Sequence, residues 1–99
     1  MREYEMMFIL SLEGGDDSIP GLIEKVNNMI TRYGGEITET NTGAPWGRRR
    51  LAYPINRLQE GYYILNHFKM NPSGVEELER DLRISEDVLR HLLISLGKD

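Results

Sequence analysis

The chain opens with EYEMMFILSL, Glu3 to Leu12, a run too short for a buried helix, rich in large apolar residues and stopped by Gly14 and Gly15. Such a run predicts a central strand. EGGDDS follows as a loop. From about Ser18, with Pro20 in the first turn, apolar residues recur at Leu22, Ile23, Val26, Met29, Ile30 and Tyr33. Spacings of three and four gather them into one stripe of a helix, and a proline in the first turn costs that helix no hydrogen bond. Gly34 and Gly35 stand where a left-handed C-terminal cap is wanted, so the helix ends there.

EITETNTG, from Glu36, alternates weakly as a strand, is interrupted around GAPWG, and resumes with period two in RRRLAYPI. The alternation sets Leu51, Tyr53 and Ile55 on one face, and Arg50 and Ala52 on the other. Pro54 cannot donate to a ladder, which predicts an edge strand or a strand near its end. NRLQEG reads as a turn, and GYYILNHFKM, Gly61 to Met70, as a central strand apolar on both faces. In NPSGVE, Ser73 and Glu76 have capping-box spacing, and Val75, Leu78 and Leu82 form the inner face of a short helix. VLRHLLISL, Val88 to Leu96, is the last strand. Strand, helix, strand, strand, helix, strand is the split βαβ, or ferredoxin-like, order of an α+β fold. Its four antiparallel strands lie in the order four, one, three, two, with two helices on one face and the arginine-bearing second strand on an edge. Pro54 predicts that edge independently.

With 99 residues the chain is expected to form one domain, residues 1–99, with a single core. No apolar run approaches the ~20 residues of a membrane span. There is no cysteine, which excludes a disulfide framework and a thiolate metal site. MREYEMMFIL lacks the basic and then apolar regions of a secretion signal, so the expected compartment is the cytoplasm. The formal net charge of −4 would disfavour a polyanionic partner, but its distribution reverses that reading. From Thr40 to Gln59 the only charged residues are Arg48, Arg49, Arg50 and Arg57. This strip carries +4 and the rest of the chain −8, which together make the net −4.

Catalytic chemistry has few candidates. His67 and His91 belong to no metal-ligand spacing and read as hydrogen-bonded structural or surface residues. Asp16 with Asp17, and Glu76 with Glu77, sit at helix starts, where carboxylates favour the dipole. The glycine pairs serve as turn and cap, and no phosphate-cradling glycine motif is present. An acylphosphatase-like enzyme of this fold needs a cationic phosphate loop after the first strand, where this chain has the acidic EGGDDS. No catalytic residue, metal or cofactor is expected.

The strip has two readings. Charged residues on an edge strand discourage aggregation between edges. Arginine used three times running, with no acid in the segment, also suits phosphate and base stacking, and Trp46 and Tyr53 are interleaved with it. The candidate RNA- or partner-binding residues are therefore Trp46, Arg48, Arg49, Arg50, Tyr53 and Arg57, with Arg48 and Arg50 on one face of the strand and Arg49 on the other.

WGRRRLAYPI, Trp46 to Ile55, followed by GYY at Gly61 to Tyr63, closely resembles the signature of the family of the sixth protein of the bacterial small ribosomal subunit. YEMMFIL, TRYGGEI and LERDLRISEDVLRHLL extend the resemblance over essentially the whole chain. It implies the ferredoxin-like fold, a non-enzymatic role in the ribosome, and binding to the central domain of 16S ribosomal RNA together with the eighteenth small-subunit protein. Position by position it makes Trp46, Arg48, Arg49, Arg50 and Tyr53 candidates for RNA or partner contact. Independently of the resemblance, the helix stripes supply a core of their own, so the isolated chain is expected to be a monomer. Members of that family often carry an extended charged C-terminal tail, whereas this chain ends at Gly97, Lys98 and Asp99, so no tail function is carried over. Two alternatives share the order of elements. One is an RNA-recognition-motif-like module that stacks bases on the aromatics of EGYYILNHF; the other is a homo-oligomeric small-molecule-binding regulator. Salt-sensitive RNA binding separates both nucleic-acid readings from the regulator.

Overall fold

Alternate side chains of the first strand, β1 (Arg2–Leu10), enter the interior: Tyr4, Met6, Phe8 and Leu10 are all buried. The computed structural model describes residues 1–55 and 57–97. Because both edges of β1 are hydrogen-bonded, to β4 (Leu58–Met70) and to β5 (Val88–Ser95), it is central as its apolar content predicts. Helix α1 (Ile19–Arg32) lays Val26, Met29 and Ile30 on this face, with Leu22, Ile23 and Tyr33 packed around them. The predicted stripe thus forms its core side, extended at the start by the buried Ile19. At its end the Gly35 N–H donates to the Ile30 carbonyl at 2.9 Å and the Gly34 N–H to Thr31 at 3.0 Å, so the glycine pair closes the helix.

Helix α2 (Val75–Ile84) buries Leu78 and Leu82 completely, with Val75 against the core edge. Its start differs from the expected capping box. Pro72, Ser73 and Gly74 form a 3-10 turn ahead of α2, and the Asn71 Oδ1 accepts the Ser73 N–H at 3.0 Å. Ser73 lies inside that turn and not at the residue before the helix, so its hydroxyl does not cap α2.

The second strand is broken in two. β2 (Glu36–Asn41) and β3 (Gly47–Ile55) both pair antiparallel with β4, on the edge away from β1. β2 runs along its later part, from Glu36 opposite Lys69 to Asn41 opposite Leu65. β3 takes the earlier part, from Gly47 opposite Tyr63 to Arg50 opposite Glu60, and closes at Ile55 opposite Leu58. The 13 residues of β4 give both pieces room. Counting β2 and β3 as one interrupted strand, the order is four, one, three, two, the ferredoxin-like α+β arrangement read from the sequence.

Two local expectations change. The strand after the hairpin begins at Leu58 instead of Gly61, so most of NRLQEG belongs to β4 and its Asn56 lies outside the described residues. Of Leu51, Tyr53 and Ile55, expected on one face, only Leu51 is buried. The cause is a break in register between Arg50 and Ile55, the stretch that contains Pro54. The chain end at Lys98 and Asp99 also lies outside the described residues. Among those described, no helix is long and apolar enough to cross a membrane.

Candidate nucleic-acid interface

β3 owes its course to the loop before it. The Trp46 N–H donates to the Gly43 carbonyl at 2.7 Å, and Gly47 follows with φ of 92°, a conformation that carries no penalty for glycine. The chain thereby enters the edge of β4 at Tyr63 and presents three arginines in succession, all exposed. Further along the same pairing, Arg49 faces Gly61. A Cβ on Gly61 would lie 2.5 Å from Ile9 Cγ2 and 3.3 Å from Leu51 Cδ2, so the close packing of β3 over β1 and β4 depends on glycine here.

Strand alternation separates the arginines as expected. The Arg49 guanidinium lies 5.1 Å from the centroid of the Tyr63 ring, on the face of the sheet without helices. There, with Trp46, Met7, Leu65 and Leu92, the pair borders a shallow, mostly apolar hollow. Arg48 and Arg50 border a different hollow, with Leu12, Glu13 and Glu60.

The expectation that no acid neutralises the strip fails at Arg48. Its Nη1 donates to both oxygens of Asp16, at 2.8 and 3.1 Å, and its Nε and Nη2 reach Glu60 Oε1 at 3.0 Å. The hydrogen bond to Glu60, followed by the charge of Asp16, holds the guanidinium proton more tightly than usual. Among the described residues, neither Arg50 nor Arg57 has an acidic partner. Arg57 sits exposed at the hairpin tip with φ of 69°.

Tyr53 is 54% exposed, and Arg90 of β5 lies 4.9 Å from its ring centroid. Trp46 is half-buried. The structure thus brings Trp46 and Arg49 to one hollow and Arg48 and Arg50 to another, and leaves Tyr53 and Arg57 further along the same edge. Sequence reasoning missed Asp16, Glu60, Tyr63 and Arg90 as direct neighbours of the strip. Only Tyr63 carried a signal, as a residue of the strand expected beside it; Glu60 falls in the predicted turn and joins β4 in the structure.

The histidines are hydrogen-bonded, as expected. His67 Nε2 lies 2.9 Å from Glu5 and its Nδ1 3.3 Å from Glu39, which ties β4 to β1 and β2. His91 Nε2 lies 2.8 Å from Glu79 of α2. The aromatics of β4 divide: Phe68 is buried and stacks on Tyr4 with centroids 5.6 Å apart, Tyr62 packs against the core, and Tyr63 is covered by Arg49. An RNA-recognition-motif-like stacking platform would need these rings free on the open face.

The sequence profile of the family described as ribosomal protein S6 matches residues 3–95. The chain belongs to the ribosomal protein S6 family. It is 47% identical over 94 residues to the small ribosomal subunit protein bS6 of Caldanaerobacter subterraneus, an alignment spanning 95% of this chain and 96% of that one. The bS6 protein of Carboxydothermus hydrogenoformans is 44% identical over 98 residues, 99% of each chain. The crystal structure of 30S ribosomal protein S6 from Thermotoga maritima superposes with a TM-score of 0.84 at 27% identity, covering 95% of this chain and 86% of that one. The resemblance drawn from WGRRRLAYPI and GYY is therefore correct, and this S6-family chain is a structural protein and not an enzyme.

Proposed function

We propose that the chain binds the central domain of 16S ribosomal RNA jointly with the eighteenth small-subunit protein, using the β3 edge for RNA or partner contact. The coarser role follows from the family: a structural protein of the small ribosomal subunit, working on the ribosome in the cytoplasm. The observation that carries the finer reading is the uninterrupted series Arg48, Arg49, Arg50 on an exposed edge strand, flanked by Trp46 and Tyr53. Phosphate contacts from arginine supply affinity and orientation, and aromatic groups beside them offer stacking surfaces. Arg57 extends the same edge to the hairpin tip. The acidic remainder of the chain suits a basic protein neighbour, which would complete a footprint that four arginines cannot supply alone.

The test is reconstitution. The chain, the eighteenth protein and a central-domain RNA fragment are mixed at moderate salt and resolved by sedimentation. Co-migration of all three supports the reading, and loss of this chain from the complex refutes it.

A further inference from the structure

We propose that Asp16 and Glu60 are intramolecular competitors for Arg48, occupying in the unbound chain the guanidinium edges that RNA phosphate would take and so limiting how tightly the β3 edge binds. The inference rests on the RNA-binding reading of that edge.

All three kinds of nitrogen in the Arg48 guanidinium are engaged. Nη1 meets both Asp16 oxygens, while Nε and Nη2 share Glu60 Oε1. These are the same planar N–H donors that a phosphate would accept from, so carboxylate and phosphate cannot both hold them in this geometry. The acids arrive from separate elements, Asp16 from the turn after β1 and Glu60 from the neighbouring strand. Arg50, two residues along and beside the same hollow, has no acidic partner among the described residues.

Nothing in the packing requires these ion pairs. The side chains of Arg48, Asp16 and Glu60 are 54%, 69% and 50% exposed, and pairs between solvated groups exchange readily. A phosphate that takes Arg48 therefore displaces the carboxylates without opening the core. Once displaced, both carboxylates have lost their cation and face the phosphate as like charges at short range. A contact at Arg48 is thereby taxed twice, and one at Arg50 much less.

The test titrates central-domain RNA with the chain and the eighteenth protein at several salt concentrations, comparing the parent with D16N, E60Q and the double variant, each also in an Arg48→Ala background. Thermal melts verify that every variant is folded. The double variant is expected to bind about 3- to 10-fold tighter near 0.1 M salt. Its dependence of log affinity on log salt should steepen by up to about one unit, as one more phosphate contact becomes effective. With Arg48→Ala the gain should shrink, because its object has been removed. Unchanged or weaker binding by the double variant overturns the inference, as does a gain equally large without Arg48, which would be general charge repulsion. Absence of RNA binding by the parent pair at every salt concentration refutes the RNA-binding reading itself, and the inference with it.

Discussion

The guanidinium of Arg49 stacks over the ring of Tyr63 with 5.1 Å to its centroid, on the opposite side of β3 from Arg48, which is held by Asp16 and Glu60. Adjacent arginines of one run therefore meet different chemistry. If the edge binds RNA, single alanine variants at Arg48, Arg49 and Arg50 should weaken assembly with RNA and partner. Each lost phosphate contact should flatten the salt dependence by about one unit. Folding stability should move by only ~0.5 kcal/mol or less, as for other exposed positions. Arg50→Ala should cost more binding than Arg48→Ala. Equal binding by all three variants and the parent, with parallel salt slopes, would leave the strip as edge protection alone.

The isolated chain should be a monomer and bind the central-domain RNA weakly at physiological salt, because four arginines neutralise few phosphates and the remaining −8 repels them. Adding the eighteenth protein should tighten binding by orders of magnitude. Filter binding with and without the partner reads this directly. Tight binding by the chain alone would contradict it.

Arg57 offers a separation of stability from binding. A non-glycine residue at φ of 69° carries a steric cost of roughly 1–2 kcal/mol, only partly offset by the entropy that glycine would add. Arg57→Gly should raise stability by about 0.5–1 kcal/mol while lowering RNA affinity. Urea melts and RNA titration check the two effects. A destabilised variant would mean that the Arg57 side chain holds the hairpin.

Gly61→Ala should destabilise the fold by roughly 1–3 kcal/mol, the usual range for an inserted methyl that a packed site cannot accept. The new Cβ would fall 2.5 Å from the Cγ2 of Ile9, a β-branched side chain with little freedom to withdraw. Because Gly61 is the ladder partner of Arg49, strain there reaches the β3 edge, and RNA binding should fall with stability. Chemical denaturation of the variant decides it.

His67 predicts a pH dependence. The hydrogen bond to Glu5 is the main cause that raises its pKa in the folded chain above the usual 6.5; burial opposes it as the next-largest effect, and the hydrogen bond to Glu39 adds a smaller rise. A raised folded pKa stabilises fully below 6.5 and loses that contribution as pH climbs through the folded value. Stability should therefore decline on raising the pH from about 6.5, the unperturbed histidine value, and His67→Gln should flatten this part of the profile. Glu5→Gln should flatten it more than Glu39→Gln. Denaturation midpoints against pH, with an NMR titration of the ring, provide the measurement.

Local pattern alone determined the elements and their environment. The stripe from Leu22 to Tyr33 and the inner face of α2 report which residues leave water, because burial is periodic within one helix, and the short apolar run of β1 marks a central strand. The missing N–H of Pro54 placed the arginine strand at an edge, and the gathering of positive charge between Thr40 and Gln59 marked the candidate surface. What the tertiary structure decided depends on register between elements. A two-residue turn with regular pairing from Ile55 and Leu58 would put Tyr53 opposite Glu60; the irregular stretch before Ile55 puts Arg50 there instead. That shift brings Glu60 to Arg48, while Asp16 reaches the same guanidinium from 32 residues away in the chain. Arg90 over Tyr53, and His67 between Glu5 and Glu39, likewise join groups from different strands. Charged and aromatic partners of this kind leave no period in the sequence, because their energies depend on separation in space and hydrophobic burial repeats along the chain.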